Sequence, residues 1–75
     1  MTNQTLKLLR LYHGLSQREF ATKIGVAEST IGKIEAGWQG VSDVTKAKVL
    51  RNFDISDNEF MAFCERMNGN EKVAE

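Results

Sequence analysis

Apolar residues in this chain return every three or four positions, in short runs separated by Gly, Asn, Asp and Ser, and proline is absent. That period belongs to amphipathic helices, so the pattern predicts an all-α fold of five helices. Leu6, Leu9 and His13 fall on one face beside Tyr12, which predicts a first helix over 4–12, ended by Gly14. Ser16 and Glu19 stand at capping-box spacing and open a second helix that buries Phe20, Ala21 and Ile24 and stops at Gly25. The next three residues allow only a tight turn. A third helix follows over 28–36, with Ile31 and Ile34 inward and Gly37 as its stop. After a loop at 38–41, Ser42 or Asp43 caps a fourth helix reaching Asn52 or Phe53, with Val49, Leu50 and Phe53 inward. Asp54 fills the break, where Asp tolerates the left-handed conformation. Ser56 and Glu59 repeat the capping box and start a fifth helix. Its buried stripe is Phe60, Phe63 or Cys64, and Met67, and it ends at Asn68-Gly69. Residues 1–69 then form one domain, with a disordered tail over 70–75.

Two short helices joined by a three- or four-residue turn containing Gly constitute a helix-turn-helix unit. Residues 17–35 have the residue types it needs. Ala21 is small where the second helix crosses, Gly25 takes the turn, and Val26, Ile31 and Ile34 plug the angle between the helices. Glu28, Ser29, Gly32 and Lys33 are left outside that core, placed to face a major groove.

Composition narrows the reading. Seventy-five residues with 41% apolar content make one small core. A lone cysteine, Cys64, forms no internal disulfide and suits a reducing cytoplasm. No apolar run is long enough for a signal peptide or a membrane span. Charge is less helpful: ten Lys and Arg balance ten Asp and Glu, where a free-standing DNA binder is usually basic. Residues 1–40 carry five positive and three negative side chains, and the remainder five and seven, which permits a positive face without requiring one. No catalytic triad, Gly-rich phosphate loop, paired catalytic carboxylates or metal-ligand spacing is present, so neither enzyme activity nor a cofactor is expected. His13 reads as a helix C-terminal residue favoured by the dipole, and Cys64 as a small apolar group. Lys46, Lys48 and Arg51 read first as a solvated face.

From Leu6 to about Phe60 the chain resembles the Cro/CI (XRE-type) helix-turn-helix domains of phage repressors and their bacterial relatives. The resemblance rests on Gly14-Leu15-Ser16-Gln17-Arg18-Glu19-Phe20-Ala21, Ile24-Gly25-Val26, Ser29-Thr30-Ile31 and Ile34-Glu35-Ala36-Gly37. It implies a five-helix, lambda-repressor-like domain that binds double-stranded DNA as a phage or prophage repressor-like regulator. It also implies roles. Gln17, with Arg18 beside it, matches a residue that holds a phosphate and braces the recognition helix. Glu28, Ser29 and Lys33 match positions that reach base edges, with Thr30 next to them. Trp38, Gln39 and Gly40 match a loop on the sugar-phosphate backbone, and Arg10 and Glu35 match a buried ion pair. The loop before the fourth helix lacks the family's usual proline, and Ala27 stands where a Ser or Thr cap is usual. Physical chemistry independently favours a phosphate near the helix start at Ser16 and Gln17, and lets Lys33 reach guanine O6/N7 and Glu28 accept from cytosine N4. Gly32, costly inside a helix, suits close approach to a backbone or to a thymine methyl. Trp38 reads first as packing over the core edge.

Leu8 and Leu11 are expected on the outer side of the first helix. With Phe60, Phe63 and Met67 of the fifth, they suggest a surface for a homodimer or another regulator. Hence a rival reading: a protein-interaction module, modulator or antirepressor, that keeps the fold and has given up DNA.

Overall fold

A computed structural model describes the backbone of residues 1–74 and the side chains of residues 1–68. The described chain is all-α, in the order α1 (Asn3–Tyr12), α2 (Gln17–Ile24), α3 (Glu28–Glu35), α4 (Asp43–Asn52) and α5 (Asn58–Ala74). No helix among the described residues is long and apolar enough to cross a membrane. α2 packs on α3 and on α4, while α1 lies against both α3 and α5.

That last arrangement corrects the reading of α1. Leu8 is buried with Leu6 and Leu9, because a helix wedged between two others needs two apolar faces. Only Leu11 of the expected outer pair is exposed. The core adds Phe20, Ala21 and Ile24 from α2, Ile31 and Ile34 from α3, Val49, Phe53 and Phe60. Phe53 stacks on Phe20 with ring centroids 5.3 Å apart and meets the His13 ring at 4.7 Å. Tyr12 joins α1 to α5, touching Phe60 and Phe63 and donating to Glu59 Oε2 at 3.4 Å.

The second half departs further from expectation. Thr45 and Val49 form the buried stripe of α4, one turn apart, while Leu50 is exposed. Ser42 is its cap, accepting from the Thr45 N–H at 3.2 Å. The expected capping box at Ser56 does not form. Asp57 Oδ1 accepts from the Glu59 N–H instead, and both the N–H and the hydroxyl of Ser56 donate to Asp54 Oδ1. Asp54 therefore shapes the break by a side-chain turn. It does not adopt the left-handed conformation: among the described residues only glycines have positive φ. On α5, Phe60 is buried and Phe63 and Cys64 are half-buried, but Met67 is exposed. Burial pushes the Cys64 thiol up, away from its reactive thiolate. α5 also continues past the expected stop at Asn68-Gly69, since one glycine costs a helix only about 1 kcal/mol. The side chains of the tail expected at 70–75 lie outside the described residues.

Candidate nucleic-acid interface

The start of α2 is built locally. Ser16 Oγ accepts from the Glu19 N–H at 3.0 Å, and Glu19 Oε1 accepts from the Ser16 N–H at 2.8 Å, completing the expected box. The Ser16 N–H, with its hydroxyl, holds the Glu19 carboxyl below its usual range. α2 ends at Gly25 with φ +78°, a value a Cβ would strain, and the Val26 N–H reaches back to the Ala21 carbonyl at 3.0 Å. Lys48 donates to the Gly25 carbonyl at 3.3 Å, so this half-buried lysine ties α4 to the turn and is not part of a solvated face. α3 starts at Ala27 with no side-chain cap.

α3 is then clamped at its far end. Arg10 donates through Nε to Glu35 Oε2 at 2.7 Å and through Nη2 to Oε1 at 2.8 Å, while its Nη1 holds the Leu15 carbonyl at 2.9 Å. The expected ion pair is present, with side chains only 13% and 5% exposed. Gln17 Nε2 donates to the same Glu35 Oε1 at 3.1 Å. Burial alone would raise the Glu35 carboxyl. The hydrogen bonds from Arg10 and Gln17, with the charges of Arg10 and Lys7, outweigh it and leave the carboxyl below its usual range. Glu35 in turn raises the Arg10 guanidinium. One carboxylate thus joins α1, α2 and α3.

The clamp fixes which way α3 faces. Ile31 and Ile34 are buried, and at about 100° per residue the opposite side carries Ser29, Gly32, Lys33 and Ala36. Glu28 is exposed at one flank of that face, and Thr30, half-buried, lies at the other. Gln17 borders the face beside Gly32: a Cβ built on Gly32 would meet Gln17 Oε1 at 3.7 Å. Arg18 is exposed on α2. Beyond α3, the Trp38 N–H reaches the Lys33 carbonyl at 2.8 Å, which turns the chain sharply and stands the indole in solvent, 82% exposed. Trp38 does not pack over the core edge. Ser29, Gly32, Lys33, Ala36 and Trp38 instead line one shallow groove of about 360 Å3.

Gln39 is exposed, and its carbonyl accepts from Asn3 Nδ2 at 2.9 Å, which fastens the loop to α1. Sequence reasoning missed Asn3, since its partner lies 36 residues away. It also missed Ala36, which the one-turn spacing from Gly32 could have revealed. Lys7 is half-buried with its charge acting on Glu35, and the Lys23 ammonium sits 5.7 Å above the Phe53 ring. Arg18 and Lys33 are the exposed basic side chains on or beside the face.

A helix-turn-helix family matches residues 6–60, from α1 into the first turn of α5. The chain belongs to the helix-turn-helix family. It is a DNA-binding regulator by that membership, and not an enzyme. Two curated proteins called antitoxin HipB are similar to it. One, from Escherichia coli O6:H1 (strain CFT073), is 33% identical over 70 residues, covering 93% of this chain and 70% of that one. The other, from Escherichia coli (strain K12), is 30% identical over 70 residues, covering 93% and 75%. No solved structure matches the chain. Within the helix-turn-helix family frame, α2 and α3 are the paired helices, and Ser29, Gly32, Lys33 and Ala36 lie on the exposed side of the second.

Proposed function

We propose that this protein is a sequence-specific transcriptional regulator of the antitoxin kind, which lays α3 in the DNA major groove. The observation that carries the proposal is the clamped α3, whose Ser29–Lys33 side faces solvent while the Ile31–Ile34 side is buried. Ser29 and Lys33 read base edges, Lys33 at guanine O6/N7, and Glu28 at the flank accepts from cytosine N4. Gln17 and Arg18 hold the phosphate backbone at the start of α2, where free N–H groups and the dipole favour an anion. Thr30 and Gln39 contact the backbone on either side. The sequence alone suggested a phage or prophage repressor. The name of the two relatives supports an antitoxin setting instead, with a toxin as partner besides DNA, and the lone cysteine suits a place in the cytoplasm.

Genomic DNA captured on the protein tests the proposal. Recovery of a shared sequence by the wild type, and its loss with Ser29→Ala/Lys33→Ala, is the expected result. An empty capture favours the second reading, a docking module that acts on another regulator. That reading draws on the zero net charge and on exposed Leu11, Met61 and Met67. With Leu8 and Phe60 buried, those residues and half-buried Phe63 are, among the described residues, the larger apolar side chains that α1 and α5 offer a second copy or partner. A symmetric pair would read half-sites about 34 Å apart.

A further inference from the structure

We propose that Trp38 is a base-reading residue, and that the groove it forms with Gly32 and Ala36 seats the 5-methyl group of a thymine. This inference rests on the DNA-binding reading above and deepens it.

Two residues on this face have no explanation in folding. Gly32 lies inside an eight-residue helix, where glycine is distinctly less favourable than alanine. A Cβ there would meet only Gln17 Oε1, at the ordinary contact distance of 3.7 Å, so nothing within the chain requires its absence. Trp38 exposes 82% of a large aromatic surface that the neighbouring core does not use. Both residues line the same groove, with Gly32 and the small Ala36 along α3 and Trp38 following on from the helix end. The Trp38 N–H, held by the Lys33 carbonyl at 2.8 Å, fixes the backbone that carries the indole.

The chemistry of the groove selects its occupant. Ser29 and Lys33 are among its lining residues, but the surface they and the others present to it is almost wholly apolar. Hydrogen-bonding groups of a base pressed into such a surface would lose water and gain no partner. Among the base edges of the major groove only thymine carries an apolar group, the C5 methyl. At about 360 Å3 the open groove admits the methyl without steric conflict and leaves the neighbouring O4 of the base at its rim. Trp38 thereby moves from the sugar-phosphate role implied by family resemblance to a specificity role beside Ser29 and Lys33.

Deoxyuridine in place of thymidine removes the methyl and leaves base pairing intact. The test uses the full chain and a duplex selected from a random-sequence pool, with each thymine of the half-site replaced in turn. Wild type is expected to lose on the order of fourfold in affinity at one or two positions, the worth of one buried methyl. Trp38→Ala and Gly32→Leu should bind the thymine and deoxyuridine duplexes equally, with unchanged helical content. Wild-type binding that prefers the selected duplex yet tolerates deoxyuridine everywhere overturns the inference and leaves the DNA-binding reading standing. So does a Trp38→Ala loss that is equal for both duplexes. Absence of any preferred duplex overturns both.

Discussion

Arg10 and Glu35, twenty-five residues apart, are joined by two parallel hydrogen bonds of 2.7 and 2.8 Å, and Gln17 adds a third to the same carboxylate at 3.1 Å. The last residue of α3 is therefore held by the two helices that precede it. With exposures of 13% and 5%, each charge depends on the other for its solvation. Glu35→Leu or Arg10→Met alone should cost about 3 kcal/mol by stranding the partner. The Arg10→Met/Glu35→Leu double variant should recover most of that loss. Urea denaturation of the four proteins closes the cycle, and additive losses would show that the pair is not a unit.

Acid should act through the same carboxylate. Because the folded Glu35 pKa lies below its ordinary value of 4.5, its contribution is full above that value and lost as the pH falls through the lowered one. Glu19 and Asp54 are lowered too and act in the same direction. Stability should stay level from about pH 7 to about pH 6 and fall below about pH 4.5. The gap between wild type and Glu35→Gln should narrow as the pH drops. A gap that is constant with pH would rule out Glu35 as a source of the acid sensitivity.

The two ends of the turn should respond oppositely. Gly25→Ala places a Cβ at φ +78° and should cost about 1–2 kcal/mol. Ala27→Ser supplies the cap that α3 lacks and should add about 0.5–1 kcal/mol. Thermal melting reads both, and the account of the turn fails if their signs are reversed.

What was legible in the sequence was local. Ser16 and Glu19 cap each other across three residues, and Gly25 stops α2 where its neighbours predict, since no distant contact is involved. Leu8 was misread because α1 packs against two helices, α3 and α5, and a second buried face arises only from that tertiary arrangement. Ser56 was misread because Asp54 captures its hydroxyl, leaving Asp57 to cap α5. At the interface the spacing of Ser29 and Lys33 marked the outward side of α3. The exposed stance of Trp38 depends on how the chain turns after Gly37, which hydropathy does not encode.

Phosphate and base contacts should separate by salt. Arg18→Ala should weaken binding to all duplexes and reduce the salt slope by about 1. Gln17→Ala should also weaken every site similarly, without changing rank. Lys33→Ala should alter which site is preferred. Titrations at several salt concentrations distinguish these outcomes, and an Arg18→Ala protein with an unchanged slope would remove Arg18 from the interface.

The most direct measurement is the affinity of the full chain for a selected duplex against a scrambled one, by fluorescence anisotropy across a range of salt. The wild type should bind the selected duplex at least about a thousandfold more tightly. Affinity should fall steeply with salt, and Ser29→Ala/Lys33→Ala should erase most of the preference while remaining folded. Equal affinity for both duplexes at every salt concentration, or a preference untouched by the double substitution, would contradict the placement of α3 in the major groove.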